Sequence, residues 1–183
     1  LKERGLAGVQ LIISDACLGL AESAAEFFPN ARWQRCIVHW YRNIFSHVPA
    51  TKVREIAAML KAIHASEDIL AAREKASRVI EKLRALRLTT AAELAEAAVE
   101  ETLTYYAFPE EHWRRIRTNN PLERLLREIR RRTRVVGAFP DGESALNLAA
   151  ARLRHVAGTA WSTKRYLNIG LLTDKQMRGA ITA

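Results

Sequence analysis

The sequence predicts an α/β fold that is mostly helical, with two short strands near its start. Three observations predict it. Val9 to Ile13, VQLII, is a β-branched and apolar run preceded by Gly8 and ended by Ser14-Asp15-Ala16, the pattern of a buried strand. Arg32 to Val38, RWQRCIV, alternates polar and apolar residues as a second strand does, after a turn at Pro29-Asn30. From Ala50 to Phe108 the apolar residues recur at helical spacing, and the abundant alanine suits helices.

In chain order, Asp15 sits where the first strand stops, and two readings stand for it. It projects from the carboxyl edge of a sheet, where α/β folds build their sites, or it caps the helix expected from Leu18 to Phe28. The second strand runs into His39-Trp40-Tyr41-Arg42-Asn43, so that Cys36 and His39 form a C-x2-H pair at its end. A structural zinc site needs about four ligands, and the one other cysteine, Cys17, has no histidine near it in sequence. Packing or a polar contact is therefore the expected role of the pair.

Three helices are expected next, at about Thr51 to His64, Glu67 to Arg87 and Ala91 to Ala107. Ser66 is placed to cap the second, and Thr90 with Glu93 has the spacing of a capping box for the third. Charges of alternating sign, as in Glu67, Asp68, Arg73, Glu74 and Lys75, mark solvated faces. These helices hold no catalytic constellation, and His64 reads as surface or core filler.

Pro109 opens a short helix, PEEHWRRI, and the densest chemistry follows it from Thr118 to Pro140, TNNPLERLLREIRRRTRVVGAFP. Asn120 stands at an N-cap position, Pro121 suits the first helical residue, and Leu122, Leu125, Leu126 and Ile129 recur at helical spacing. At about 100° per residue, Glu123 falls beside that apolar stripe, with Arg127 one turn on and Arg130 two turns on. Its carboxylate is expected to be half covered and flanked by cations. Val135 to Gly142 reads as a loop, and Glu143 to Ala157 as a last amphipathic helix with Leu146, Ala149, Ala150, Leu153 and Val156 turned inward. The tail after Trp161, with Lys164, Arg165 and Tyr166, is expected to fray.

A chain of 183 residues fits one domain with a real core. It begins at Leu1 without an initiator methionine and is expected to lie inside a longer protein. A formal charge of +9 and a pI near 10.1 favour a polyanionic partner, nucleic acid before membrane. Two cysteines build no disulfide framework, no secretory signal is present, and a reducing cytoplasm is the expected compartment. No apolar stretch reaches the ~18 residues of a membrane span.

ISDACLGL at Ile13 to Leu20, WQRCIVHWYRN at Trp33 to Asn43 and TNNPLERLLREIRRRTRVVGAFP together resemble the Mutator-type transposases of bacterial insertion sequences. The similarity spans essentially the whole chain, in the same order. It implies a partial RNase H-like fold with an all-helical insertion, divided as residues 1–48 (strand, helix, strand and second acid), 49–108 (insertion) and 109–183 (third-acid helix, arginine-rich stretch, C-terminal helix). It implies the C-terminal portion of a catalytic domain of the DDE type, whose acids are Asp, Asp and Glu. Carried over by motif, Asp15 matches the second acid and Glu123 the third, while Glu128 belongs to the arginine-rich continuation. The first acid is expected upstream of Leu1, so that this stretch alone should bind metal weakly and transpose nothing.

The implied chemistry is DNA cleavage followed by strand transfer of a 3′-hydroxyl, an in-line displacement served by two Mg²⁺ or Mn²⁺ ions about 3.5–4 Å apart. Hard cations take carboxylate oxygens and keep several waters. Arg124, Arg127, Arg130, Arg131, Arg132 and Arg134 cover several sides of one helix and its exit. They either clamp DNA phosphates or form a solvated face paired with Glu123 and Glu128. Cys36 and His39 match a recurring C-x2-H signature of the group, with a role in ordering the site or contacting DNA. Trp33, Trp40 and Trp113 suit stacking on bases, with burial as the expected fate. The implied partners are transposon-end DNA, target DNA and further copies of the chain on that DNA, in the bacterial cytoplasm at the nucleoid, with no membrane. The competing class is a catalytically inactive DNA-binding remnant. A purely helical interaction protein would leave the Asp15 strand end and the arginine stretch unexplained. Asn120 and Glu123 also have capping-box spacing, so Glu123 either satisfies the backbone or binds metal, and the family order favours a carboxylate aimed toward Asp15.

Overall fold

A computed structural model describes residues 2–17, 19–159 and 166–172. Leu18, Trp161, Lys164 and Arg165 of the expectations above lie outside the described residues. The chain is mostly helical with one small parallel sheet, and it divides into two compact units, Leu1–Thr118 and Asn119–Ala183.

In the first unit, β1 (Leu11–Ser14) and β2 (Arg32–Arg35) pair in parallel, Leu11 opposite Arg32 and Ser14 opposite Arg35. A parallel pair requires a crossover, supplied by α1 (Leu20–Phe27). The apolar residues of β1 stay half exposed, where the sequence suggested a buried strand, because β2 is its one partner among the described residues.

The second strand stops at Arg35, three residues earlier than its alternation suggested, and α2 (Ile37–Phe45) begins at once. Ile37, Trp40, Tyr41 and Ile44 all bury along one face of α2, a helical spacing that outcompetes the two-residue alternation. Helices α3 (Val53–Ile63), α4 (Ile69–Ala85) and α5 (Thr89–Ala98) complete a bundle with α2. Ile56, Leu60, Ile63, Val79, Ile80 and Leu83 form its core, and Ala72, Ala76, Ala91, Ala92 and Ala95 let the helices approach closely.

Two caps differ from expectation. Asp68, not Ser66, caps α4 by accepting a hydrogen bond from the Ala71 amide (2.8 Å), while Ser66 is buried and bonds back to the Ala62 carbonyl. Leu88 precedes α5, so the Thr90 and Glu93 capping box does not form. Helix α5 also ends at Ala98 rather than near Ala107. Short 3₁₀ turns follow at Glu100–Thr102 and Thr104–Ala107, where β-branched and aromatic residues weaken an α-helix. Helix α6 (Glu110–Ile116) then packs on those turns.

A buried polar network ties the sheet to the bundle. The fully buried Gln34 donates from Nε2 to the carbonyls of Thr102 (2.8 Å) and Arg35 (2.7 Å), and its Oε1 accepts from the Tyr105 amide (2.8 Å). His64 lies next to it in the same network. Thr102 Oγ1 donates to the Val99 carbonyl (2.6 Å), so it must accept from His64 Nε2–H (2.8 Å), and the Tyr41 hydroxyl donates to His64 Nδ1 (2.8 Å). The imidazole is thereby held neutral, and burial pushes its pKa down from 6.5 to about 3. Burial likewise raises the Tyr41 and Tyr105 hydroxyls above their ordinary values.

Because Gln34→Leu keeps the volume but strands the Thr102 carbonyl and the Tyr105 amide, it should cost about 2–4 kcal/mol of stability. Urea unfolding measures this, and an unchanged midpoint would contradict the role of the amide.

The second unit contains α7 (Asn120–Val136) and α8 (Gly142–Ala157). Helix α7 runs through Val135 and Val136, which the sequence placed in a loop, and Gly137 follows it at a φ of 77° that glycine adopts freely. Asp141 caps α8, its Oδ1 accepting the Ser144 amide (2.6 Å), which holds its carboxyl below the ordinary value. Neither helix fully buries a side chain, and Leu146 and Leu153, expected inward, are exposed.

Candidate active site and arginine surface

Asp15 directly follows β1, at the carboxyl edge of the parallel pair. The capping alternative does not hold, since α1 begins at Leu20 with Gly19 as its N-cap in a left-handed conformation (φ 79°). The Asp15 carboxylate is half buried. Its Oδ1 accepts the Ala16 amide (2.9 Å), and no other described residue bonds to it. A hard-oxygen donor fixed by one short bond, with its second oxygen uncommitted, fits a hard divalent cation.

The surrounding backbone is held firmly. The Trp33 indole N–H donates to Ser14 Oγ (2.8 Å), and that hydroxyl donates to the Asp15 carbonyl (2.9 Å). The Ser14 carbonyl accepts the Cys36 amide (2.7 Å), which places the C-x2-H segment beside the strand end carrying Asp15. Sequence inspection missed this tie, although Ser14 precedes Asp15 directly. Trp33 is thus a half-buried structural contact, Trp40 is buried, and the half-buried Trp113 packs edge-on against Tyr105 and Tyr106. Cys36 directly follows β2 as the N-cap of α2 and is buried, while His39 lies in the first turn of α2 and is half buried. Arg35, opposite Ser14 in the ladder, is ion-paired to Glu101 (3.0 Å), which fastens the same end of the sheet to the turn after α5.

In the second unit, Asn119 rather than Asn120 is the N-cap of α7, and its side chain makes no capping bond. The capping box suggested by Asn120 and Glu123 is therefore not in register. Glu123 lies in the first turn and is half buried, as its position on the wheel implied. Asp15 belongs to the first unit and Glu123 to the second. Among the described residues no group of three or more His, Cys, Asp or Glu side chains is gathered to hold a metal ion.

Glu128 is engaged by three arginines. Its Oε2 accepts from Arg131 Nε (3.0 Å), and its Oε1 from Arg131 Nη2 (2.9 Å), Arg132 Nε (3.3 Å) and Arg152 Nη2 (2.7 Å). These bonds, the Arg131 one foremost, hold the carboxyl at about 2. Two of the six arginines singled out in the sequence, Arg131 and Arg132, are thus paired with Glu128, and α8 contributes a third, Arg152. No helix of the described residues is long and apolar enough to cross a membrane.

Comparison with known proteins places these features in a family. Residues 1–162 match the family model described as "Transposase, Mutator family". The chain is 37% identical over 183 residues to the transposase for insertion sequence element IS1081 of Mycobacterium tuberculosis, covering 100% of this chain and 43% of that protein. It is 37% identical over 176 residues to the transposase for ISRM5 of Rhizobium meliloti, covering 95% and 44%, respectively. It is 35% identical over 170 residues to the transposase for IS256 in transposon Tn4001 of Staphylococcus aureus, covering 92% and 43%. The chain spans less than half the length of these curated relatives.

Proposed function

The chain belongs to the Mutator family of transposases, and from that premise we propose that it is the C-terminal part of an RNase H-like catalytic domain of the DDE type. The full-length protein cuts DNA at the ends of an insertion sequence and joins the freed 3′-hydroxyl to target DNA. Asp15 at the carboxyl end of β1 is the observation that carries this reading, because the β1, α1, β2 unit delivers it where parallel sheets place their chemistry.

Asp15 and Glu123 are the residues that hold Mg²⁺ or Mn²⁺, two ions in the complete site, with a further Asp expected ahead of Leu1. Bound there, the ions stabilise charge on the attacking and leaving oxygens of an in-line displacement. Of the two carboxylates of α7, Glu123 is preferred because it stands at the motif position of the third acid, while Glu128 belongs to the arginine-rich continuation and accepts from arginine at both oxygens. Cys36 orders the strand end through its backbone bond to Ser14, with His39 one turn along. Arg124, Arg127, Arg130, Arg131, Arg132 and Arg134 supply a largely sequence-neutral grip on DNA phosphates. The protein acts as a homo-oligomer on DNA, at the nucleoid of a bacterial cytoplasm.

The test uses the full-length protein, a labelled DNA carrying the element's end, a target plasmid, and Mg²⁺ or Mn²⁺. Metal-dependent nicks at the element's end and joined products are expected. Tight binding of the end with no cleavage in either metal would instead make the protein a DNA-binding remnant.

A further inference from the structure

Helix α7 presents two different basic flanks. At about 100° per residue, Arg130 and Arg134 share the flank of Glu123, whereas Arg124 and Arg131 share that of Glu128. The second flank faces α8, where Arg152, His155 and Val156 follow helical spacing, and with Thr159 just beyond the helix they line a cleft of about 390 Å³ within the second unit. That volume falls in the roughly 300–1,000 Å³ range of ligand sites.

The cleft has far more donors than acceptors. Arg124, Arg127, Arg131 and Arg152 each carry about five N–H donors and no acceptor, and Glu128 is the one carboxylate among the residues lining the cleft. Glu128 already accepts from Arg131 and Arg152, which fixes both guanidinium groups against the wall, while the buried Nε of Arg152 has no acceptor among the described residues. A surplus of oriented donors in a concave site calls for a ligand with several anionic oxygens. The described lining contains no Phe, Tyr or Trp ring to stack a base, and the basic side of α7 continues beyond the cleft through Arg132. Both features favour a sugar-phosphate backbone over a free nucleotide.

We propose that the cleft between α7 and α8 binds the phosphodiester backbone of duplex DNA, with Glu128 positioning Arg131 and Arg152 and with Arg124, Arg127 and Arg152 contacting phosphate oxygens. The proposal rests on the DNA-binding reading above and narrows it to the arginines of α7 that line the cleft, with Arg127 at the border between the two flanks, together with a face of α8.

Two measurements on the full-length protein test it. In the first, the salt dependence of duplex affinity is compared for the unmodified protein, Arg127→Ala/Arg152→Ala and Arg130→Ala/Arg134→Ala. Loss of two phosphate contacts should flatten the slope of log K against log salt by about two and weaken binding about tenfold or more at low salt, and this is expected of the first pair. An unchanged slope for the first pair with a reduced one for the second would overturn the cleft while leaving DNA binding intact, and unchanged slopes for both would overturn both. In the second, which requires no substitution and so survives any misfolding of Arg152→Ala, arginines are modified with a dicarbonyl reagent and read by mass spectrometry. A short duplex should shield Arg127 and Arg152 severalfold. Lack of shielding, or equal shielding by inorganic phosphate alone at the same concentration, would overturn the proposal.

Discussion

Asp15→Asn and Glu123→Gln, each placed in the full-length protein, are expected to reduce strand cleavage and strand transfer by at least about 1,000-fold. Both changes are nearly isosteric and remove one negative charge. A divalent ion that stabilises transferring oxygens is worth several kcal/mol of the barrier, and each 1.36 kcal/mol is about tenfold in rate. Folding should be spared. Among the described residues the bond to the Asp15 side chain comes from the Ala16 amide (2.9 Å), and the carbonyl oxygen of Asn can accept it equally well. Circular dichroism and the urea midpoint of Asp15→Asn should therefore match the unmodified protein. Glu81→Gln, on the exposed face of α4, serves as the control, since no metal or DNA contact is assigned to it. Near-normal cleavage by either first variant in both Mg²⁺ and Mn²⁺ would remove that residue from the site.

The strand end at Asp15 and the approximate start of α7 were legible because they depend on local pattern, whereas the roles proposed for Asp15 and Glu123 come from the resemblance. A β-branched run that stops at Ser14-Asp15 defines a strand end whatever packs on it, and a Pro followed by spaced leucines defines the start of α7. The boundary after Arg35 was misread because RWQRCIV satisfies a period of two while Ile37, Trp40, Tyr41 and Ile44 satisfy a longer one. Burial against α3 and α5 selects the longer period, and that information is not local. Gln34 gave no signal at all. Its partners, Thr102 and Tyr105, are 68 and 71 residues away, and an alternating strand gives no sign that one of its polar residues points into a core. The arginines fall between these cases. Their number and their spread around the helix were evident, but which flank meets α8 depends on the pairing of Arg152 with Glu128.

The second large effect is expected at acid pH. His64 is buried and neutral, with its pKa pushed down to about 3 from an ordinary 6.5. Between those values the unfolded chain binds a proton that the folded chain refuses. The stabilisation is fully present above about pH 6.5 and is lost as pH falls toward 3, at about 1.4 kcal/mol per pH unit and about 5 kcal/mol in all. That is a large share of a typical 5–15 kcal/mol. Protonation would place a hydrogen on Nδ1, facing the Tyr41 hydroxyl that now donates to it, while Nε2 remains committed to Thr102. Thr102 in turn accepts from Gln34 at its carbonyl (2.8 Å), so acid should loosen the junction that fixes β2 and, through Ser14 and Trp33, the Asp15 backbone. Urea unfolding followed by tryptophan fluorescence suits the measurement, because Trp40 packs edge-on against His64 with ring centres 5.5 Å apart. Between pH 6.5 and 5, above the range where ordinary carboxylates titrate, the unmodified protein should lose stability faster than His64→Gln by about 1.4 kcal/mol per pH unit. Parallel pH profiles for the two proteins would mean that His64 takes up its proton without unfolding, and would contradict the neutral, doubly bonded ring.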